Sequence, residues 1–458
     1  MLAFFRYEKQ AVNDNKYRVI ILDITIICAI LKSMGKDNDR YNKRQFNEDR
    51  GRGSIRTAVI VFAVTLMVIL GIGIPTLFII SSSRKNEQPQ VATTTTKWEM
   101  IPEASTVTNL TPVTETEETE ELIIPEEDKD YTHVIQTMAD DVVTIGFAGD
   151  ILFDDNYAVG NAFKKCGNSA VGVVGSSLLE KMKGVDIMMV NNEFPYSNGG
   201  SPTEGKTYTF RARPETASIL NDMGVDIVGL ANNHAYDYGE KAFLDTLDTL
   251  DNIGIEYAGA GRNIEEASHT IYYVTEDGMR IAIICATQIE RLSNPDTKGA
   301  TETSPGVFRC LDNTLLLERI REAKEKNSYV IVFIHWGTES TTEIDYLQRD
   351  QAKEMVEAGA DLIMGSHPHI LQKIDYVNGV PVVYSMGNYI FNSKDIDTCM
   401  MIATLHKDGT VNLQMVPALQ KGCTVKEAFD SEAIRIWDYE MSMSPNINID
   451  LNGYISPK

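Results

Sequence analysis

Residues 142–150 have the sequence VVTIGFAGD, an apolar run that ends in the carboxylate of Asp150. Similar short apolar runs follow along the chain, and stretches with the periodicity of amphipathic helices lie between them. This alternation predicts an α/β domain. The further predicted strands are DIMMV (186–190), DIVGL (226–230), RIAIICA (280–286), VIVFI (330–334), DLIMG (361–365) and PVVYS (381–385). The predicted helices are 176–183, 214–223, 240–253, 313–326 and 349–358.

Five of the predicted strands run directly into side chains that bind metals or act in catalysis. In open α/β sheets, ligands bind beyond the carboxyl ends of the strands, so we expect these side chains to converge on one rim. Imidazole and carboxylate groups together suit zinc, manganese or iron, and the cysteines form no CxxC pair that would indicate a structural zinc site. The side chains are Asp150, Asn191, Glu193, Asn232, Asn233, His234, His335, His367 and His369.

Several of these residues, taken alone, have an ordinary structural interpretation. Asp150 also suits a strand-ending turn or a helix N-cap, and His335 also suits a buried core histidine. The pair His367 and His369 is more specific, because Pro368 favours an extended segment in which alternate residues point the same way. The joint occurrence of all these residues therefore favours a metal site.

Eight motifs in this region together resemble the capsule-synthesis, or CapA-type, poly-γ-glutamate family. They are GDILFDD (149–155), VNNEFPYS (190–197), YTFRARPE (208–215), LANNHAYDYGEKAFLDTLDTL (230–250), YAGAGRN (257–263), IHWGTE (334–339), GADLIMGSHPHILQ (359–372) and VVYSMGNYIF (382–391). That family in turn resembles the calcineurin-like metallophosphoesterases. The resemblance covers about residues 142–417 and implies a four-layer α/β/β/α sandwich around two facing sheets.

The resemblance also implies a cofactor, one or two divalent transition metal ions such as manganese, zinc or iron. It implies Asp150 as a metal ligand, Glu193 as the bridging or second-site carboxylate and Asn233 as an amide ligand. His234 would be the acid or the group that stabilises the transition state. The remaining implied ligands are His335, His367 and His369.

The chain departs from the metallophosphoesterase pattern at two places. The usual first motif is Asp-x-His, and Leu152 stands where its histidine would be. The usual Gly-Asp-x-x-Asp is replaced by Asn191, Asn192 and Glu193. The sequence therefore leaves open whether one or two ions bind.

Other polar side chains complete the candidate site. Asp237 is a candidate partner that orients the neighbouring histidine, although a turn before the next helix is an equal alternative. Glu339 is a candidate base, although a solvated loop residue is an equal alternative. The candidate substrate-binding residues are Asn191, Arg211 and Arg213, with Lys206 as a further cationic donor nearby; ordinary surface charge is the alternative for the three cations.

Residues 57–80 (TAVIVFAVTLMVILGIGIPTLFII) contain no charged side chain. At roughly 1.5 Å per helical residue they can cross a hydrocarbon layer of about 30 Å. Basic residues are concentrated before this run, so the positive-inside rule places the amino terminus in the cytoplasm. The sequence therefore predicts a single-pass protein of the bacterial cell membrane, which contacts lipid through one helix and has an extracellular main domain.

Composition divides the rest of the chain. Residues 1–56 are predicted to be a basic cytoplasmic segment, in which Met34 is an alternative start. Residues 81–141 are rich in Thr, Glu and Pro and are predicted to be a disordered acidic stalk. Residues 142–420 are the predicted α/β domain, and residues 421–458 are a predicted C-terminal extension made of a peripheral helix and a tail.

The charge balance narrows the possible functions. The chain has 42 basic and 65 acidic residues, and its net charge of -23 argues against a general nucleic-acid binder. One hypothesis is a metal-dependent hydrolase that acts in the synthesis, export or attachment of an anionic cell-surface polymer such as poly-γ-glutamate, with membrane synthesis or export proteins as partners. The alternative is a non-catalytic subunit that binds the polymer or assembles the membrane complex.

Overall fold

The computed structural model describes residues 124–290 and 297–458. The predicted transmembrane helix at residues 57–80 and most of the predicted stalk lie outside these residues. Within the described part of the chain, no helix is long and apolar enough to cross a membrane.

Strands form the largest share of the regular secondary structure in the described chain. In chain order they are β1 (Thr132–Ile135), β2 (Val142–Ile151), β3 (Ile187–Asn192), β4 (Ile227–Gly229), β5 (Glu256–Ala258), β6 (Ala260–Gly261), β7 (Ile271–Thr275), β8 (Arg280–Thr287), β9 (Gly306–Val307), β10 (Tyr329–His335), β11 (Leu362–Ser366), β12 (Leu371–Val377), β13 (Val380–Met386), β14 (Asn388–Ile390), β15 (Ile396–His406), β16 (Val411–Lys421), β17 (Thr424–Glu427), β18 (Ile447–Ile449) and β19 (Tyr454–Pro457).

Helices connect many of these strands. They are α1 (Ala158–Lys165), α2 (Ser176–Lys183), α3 (Ser218–Met223), α4 (Gly239–Ile253), α5 (Ile264–Ala267), α6 (Thr314–Glu325), α7 (Tyr346–Ala358) and α8 (Asp430–Met443). Short 3-10 turns lie at Glu126–Tyr131, Ala170–Gly172 and Pro214–Ala217.

The strands form two large sheets. The first has the order β1-β7-β8-β10-β11-β13-β12, in which β8, β10, β11 and β13 are parallel neighbours. The second has the order β18-β19-β16-β15-β2-β3-β4-β5, in which β2 to β5 are parallel, with β14 beside β2 and β17 beside β16. The parallel strands of each sheet bring their carboxyl ends to one edge.

The two sheets pack face to face. On β2, Ile145 and Phe147 belong to the apolar cluster between the sheets, whereas Ala148 belongs to the cluster on the opposite face, as the two-residue period of a strand requires. Across the interface lie Ile283 of β8 and Phe333 of β10, and the rings of Phe147 and Phe333 have centroids 6.5 Å apart. This buried interface fixes the position of one sheet relative to the other.

Helices cover the outer faces of both sheets. Leu178 of α2 and Leu247 of α4 are buried against the second sheet, and Ile320 of α6 and Met355 of α7 are buried against the first. The layers are therefore helix, sheet, sheet and helix, and the predicted α/β sandwich is confirmed.

Part of the segment that is predicted to be a disordered stalk is folded onto the domain. Residues 126–131 form a 3-10 turn, and β1 pairs in parallel with β7. The carboxylate of Asp128 is 2% exposed and accepts two 2.8 Å hydrogen bonds from Lys326. The prediction of disorder up to residue 141 is therefore wrong, because an ion pair and a strand pairing fix a segment that is poor in apolar residues.

The C-terminal extension is also part of the domain. Strands β17 and β19 both pair with β16, so they belong to the second sheet. Ile436 of α8 and Ile455 of β19 lie in the cluster between the sheets. The predicted helix is present as α8, but the prediction that the domain ends at residue 420 is wrong, because residues 421–458 contribute to the core.

The buried carboxyl group of Glu440 on α8 predicts a pH dependence of stability. Burial raises the pKa of Glu440 from 4.5 to about 7, although hydrogen bonds from the Ser444 hydroxyl and the Ile374 amide act in the opposite direction. The folded state therefore holds this proton more tightly than the unfolded state. The stabilisation is complete below about pH 4.5 and is lost as the pH rises to about 7, with a limit of about 3 kcal/mol.

Urea unfolding of the wild type and of Glu440→Gln at pH 5 and pH 8 tests this expectation. The neutral glutamine keeps an oxygen that can accept the same hydrogen bonds but does not ionise. We expect the variant to be more stable than the wild type at pH 8, with a smaller difference at pH 5. An identical pH dependence in both proteins would contradict the assignment.

Candidate functional site

The carboxyl ends of strands from both sheets lie close together, as the sequence predicts. Asp150 on β2 pairs in register with Asn191 on β3. In the other sheet, His335 at the end of β10 pairs with Ser366 at the end of β11. Hydrogen bonds across the two sheets, such as the 3.3 Å contact between Asn191 Nδ2 and His335 Nδ1, join these ends into one polar cluster.

Two buried carboxylates, Asp150 and Glu193, form the centre of this cluster, and both are 0% exposed. The Asp150 Oδ1 atom accepts a 2.7 Å hydrogen bond from Asn191, and its Oδ2 atom lies 3.0 Å from His369 Nδ1. Glu193 Oε1 has no hydrogen-bond partner among the described residues. Burial, together with the negative charges of Asp150 and Glu339, raises the pKa of Glu193 well above its ordinary value.

Imidazole and amide groups surround the free oxygen of Glu193. His335 Nε2 lies 2.8 Å from Asn233 Oδ1, 3.0 Å from His367 Nδ1 and 3.6 Å from Glu193 Oε1. One proton on this Nε2 atom cannot satisfy all three neighbours. Burial and the neighbouring imidazoles of His367 and His369 lower the pKa of His335 well below its ordinary value, so this ring is neutral.

His369 has a different electrostatic environment from His335. Burial acts to lower the pKa of His369, but the hydrogen bond and the charge of Asp150 outweigh it, so the pKa is raised. Asn388 Oδ1 lies 2.8 Å from the same Nδ1 atom. His369 is therefore held against a carboxylate, whereas His335 faces mostly neutral groups.

The cluster fits a divalent metal ion. Two groups of possible ligands have all their ligand atoms within 4.8 Å of one another. The first group consists of Glu193, His367 and His369, and the second consists of Asp150, Glu193 and His335. Glu193 belongs to both groups, and its unpaired oxygen lies 3.6 Å from His335 Nε2 and 3.8 Å from His234 Nε2. A cation would favour the ionised carboxylate of Glu193 and would so counter the effect of burial on its pKa. Neutral imidazole is the form that binds metals.

His234 and Asp237 form a hydrogen-bonded pair beside the cluster, and Asp237 also lies in the turn before α4. His234 Nδ1 lies 2.7 Å from Asp237 Oδ2, and its Nε2 lies 3.8 Å from Glu193 Oε1. Burial lowers the pKa of His234, and Asp237 partly opposes this effect. The ring of Phe210 packs on the imidazole with centroids 4.3 Å apart. Asp237 and Phe210 therefore fix the orientation of the ring, with Nε2 toward Glu193.

The turn that carries the histidine pair is not extended as the sequence predicts. His367 has a φ of +98° and His369 a φ of +62°, both in the left-handed region. The prediction considered only the preference of a residue before proline, whereas the chain has to turn sharply where β11 ends. Such backbone costs of order 1–3 kcal/mol per residue, and it is concentrated at functional sites.

Some predicted site residues make contacts outside the cluster. Arg211 donates a 2.6 Å hydrogen bond to the Gly199 carbonyl, and Arg213 lies 2.9 Å from Asp155 Oδ2. Glu339 is exposed, but it is near enough to raise the pKa of Glu193 and His369. The substrate-binding and base roles of these residues, and of Asn191, stay predictions.

Two further amide side chains, to which the resemblance gives no role, contact residues of the site. Asn388 lies three residues beyond the predicted strand PVVYS, where the sequence favours either a place on the rim or a simple turn, and it contacts His369. The Asn232 Oδ1 atom accepts a 3.1 Å hydrogen bond from the amide of His234, and its Nδ2 atom donates to the Asn192 carbonyl at 2.9 Å. Asn232 therefore shapes the turn that carries Asn233 and His234.

Comparison with known proteins gives a consistent result for the region that contains the site. The family model described as bacterial capsule synthesis protein PGA_cap matches residues 144–393. The chain is 30% identical over 295 residues to the PGA biosynthesis protein CapA of Bacillus subtilis, with 63% of this chain and 74% of that protein covered. It is 32% identical over 229 residues to the capsule biosynthesis protein CapA of Bacillus anthracis, with 47% and 53% covered.

A more distant relative has a different description. The chain is 25% identical over 214 residues to a probable polyglutamine synthesis accessory protein of Mycobacterium tuberculosis, with 45% of this chain and 55% of that protein covered. The match thus spans about half the length of this relative and of the one from Bacillus anthracis.

The close approach of two backbone segments at the site predicts a strong effect of Gly149→Ala. A Cβ atom on Gly149 would lie 1.9 Å from the carbonyl oxygen of Gly387, so β14 and Asn388 would have to move away from β2. We expect a loss of about 1–3 kcal/mol in the free energy of unfolding, measured with denaturant in the presence of a chelator. The control is Gly175→Ala, whose Cβ atom would approach Lys426 only to 3.3 Å. Equal stability of the two variants would contradict this expectation.

Proposed function

The chain belongs to the bacterial capsule synthesis family whose model spans residues 144–393, and on this basis we propose that it acts in the synthesis, export or attachment of a capsular polyanion such as poly-γ-glutamate. Relatives described as PGA and capsule biosynthesis proteins support this process. The matched region extends from before Asp150 to beyond Asn388, so it includes the whole polar cluster.

The chemical role that we propose is a metal-dependent, hydrolase-like reaction. The observation that carries it is the buried Glu193 Oε1 atom, which has no hydrogen-bond partner among the described residues and lies among imidazole nitrogens. One or two ions of manganese, zinc or iron would supply Lewis-acid stabilisation of negative charge on a substrate oxygen. The residues that would hold them are Asp150, Glu193, Asn233, His335, His367 and His369.

The chain's own acid–base group in this proposal is His234. Its Nδ1 atom is engaged by Asp237, so its Nε2 atom is the one that faces the site. A proton exchanged with a substrate oxygen would pass through this Nε2 atom. The ring of Phe210 packs on His234, and the ring of Phe391 packs on His369. The two phenylalanines are 5% and 7% exposed, and they limit the access of water to these two histidines.

We further propose that the domain lies outside the cell on a membrane anchor. The support is the uncharged run at residues 57–80 and the basic residues before it. In this location the domain would meet the anionic polymer where it leaves the cell, and the membrane synthesis or export proteins would be its partners. Lipid would contact the chain through this one helix.

A non-catalytic role in polymer binding or assembly is the second candidate. The observation that favours it is Leu152, which stands where the first-motif histidine is expected and is buried in an apolar cluster. An apolar side chain there removes one possible ligand. The relative described as an accessory protein is consistent with this candidate.

Thermal unfolding of the full-length chain tests metal binding by Glu193. In chelator-treated protein, we expect manganese or zinc to raise the Tm by several degrees, since a ligand at 100 times its Kd stabilises by about 2.7 kcal/mol. Glu193→Gln should lose this increase, because it removes the carboxylate shared by both ligand groups. The control is Glu440→Gln, which neutralises a buried glutamate elsewhere. A wild-type Tm that no metal raises, or an increase that survives Glu193→Gln, would disprove the site.

Polymer production in cells separates the two candidate functions. If catalysis is required, then Asp150→Ala, His234→Ala and His367→Ala should each abolish the surface polymer while the amount of protein is unchanged. If polymer survives all three substitutions but is lost when residues 57–80 are exchanged for an unrelated apolar helix, the assembly role is correct and the catalytic one is wrong. The measurement is the amount of γ-glutamyl polymer per cell, with protein level followed by immunoblot.

A further inference from the structure

Lys206 is a buried cation beside the site. It lies in the loop between β3 and α3, and its side chain is only 6% exposed. Its Nζ atom lies 2.5 Å from Asp237 Oδ1 and also donates to the backbone carbonyl of Asn233. A buried ammonium group is costly unless it is paired and hydrogen-bonded, and these contacts supply both conditions.

The partner of Lys206 is the residue that orients His234. Asp237 uses Oδ1 for Lys206, and it uses Oδ2 for His234 Nδ1 at 2.7 Å and for the Phe210 amide at 2.7 Å. Each oxygen of this fully buried carboxylate therefore has a separate donor. Lys206 is the donor to one oxygen of the carboxylate, and the imidazole and the Phe210 amide contact the other.

The loop that carries Lys206 is attached to the same turn at further points. The Thr203 amide donates to the Asp237 carbonyl at 2.8 Å, and its hydroxyl donates to that carbonyl at 3.1 Å. Phe210 at the other end of the loop packs on the ring of His234. The loop thus covers the histidine and its carboxylate from one side, with Lys206 between the two outer attachments.

We propose that Lys206 is a positioning residue that fixes the Asp237 carboxylate and the backbone of Asn233, and through them His234 and a metal ligand. The sequence grouped Lys206 with Arg211 and Arg213 as a donor for an anionic substrate. Its burial and its contacts indicate instead that its charge pairs with Asp237 inside the protein. The effect of Lys206 on turnover rests on the proposed hydrolase function, whereas its effect on the orientation of Asp237 and His234 does not.

A spectroscopic measurement tests the positioning without any turnover. The full-length chain, which has 7 histidines, is labelled with 15N-histidine, and His234→Gln identifies the signal of His234. We expect a hydrogen-bonded Nδ1 proton that exchanges slowly with water in the wild type. Lys206→Met and Lys206→Gln should lose this protected signal, because the carboxylate is no longer fixed, and the charge-retaining Lys206→Arg should restore it.

The control variant is Tyr208→Ala, because Tyr208 lies in the same loop but is 61% exposed. It should keep the protected His234 signal. Persistence of this signal in folded Lys206→Met and Lys206→Gln would overturn the proposal. If neither variant folds, hydrogen exchange of the backbone amides in the wild type is the test. The Thr203 and Phe210 amides should exchange more slowly than most others in the loop. Fast exchange at both amides would overturn the proposal.

Kinetics distinguish positioning from substrate binding once a phosphoester or γ-glutamyl substrate is found. Lys206→Met should lower kcat by at least about 10-fold with little change in KM, because general acid–base catalysis contributes about 100-fold or more. A raised KM with an unchanged kcat would show that Lys206 contacts the substrate and would overturn the proposal. If the wild type has no turnover at all, the hydrolase proposal fails, and the histidine signal still decides on the role of Lys206.

Discussion

An unpaired oxygen of a fully buried carboxylate, Glu193 Oε1, is the constraint around which the site is arranged. A buried carboxylate with no donor on one oxygen is unfavourable for folding, and the raised pKa of Glu193 expresses this cost. The surrounding imidazole groups do not relieve it, because their nearest nitrogens lie 3.6 Å and 3.8 Å from this oxygen, beyond hydrogen-bonding distance. A cation bound among these groups would offset this cost.

The sandwich makes this arrangement possible because each sheet supplies part of the polar cluster. Asp150 and Asn191 come from the second sheet, and His335 and Ser366 come from the first. The apolar interface between the sheets, with Phe147 against Phe333, fixes the two rims relative to each other. The strained backbone of the histidine turn is tolerated because the strands on both sides hold the turn in this conformation.

The sequence was sufficient to predict the parts of the structure that have a local signal. α2 begins and ends at the predicted residues, and the polar side chains that follow apolar strands converge as expected. Contacts between distant segments had no such signal. The pairing of β1 with β7, the addition of β19 to the second sheet and the pairing of Lys206 with Asp237 all join residues far apart in the chain. The turn at His367 was mispredicted because a proline preference is weaker than the geometry at the end of a sheet.

Anomalous X-ray scattering from crystals of the full-length chain grown with manganese or zinc tests the central claim most directly. The account predicts a metal peak in contact with Glu193 and at least one of His335, His367 and His369, and the number of peaks would settle whether one or two ions bind. Absence of a peak at Glu193 in crystals that contain excess metal would contradict the account. A peak bound only by residues outside the cluster would contradict it equally.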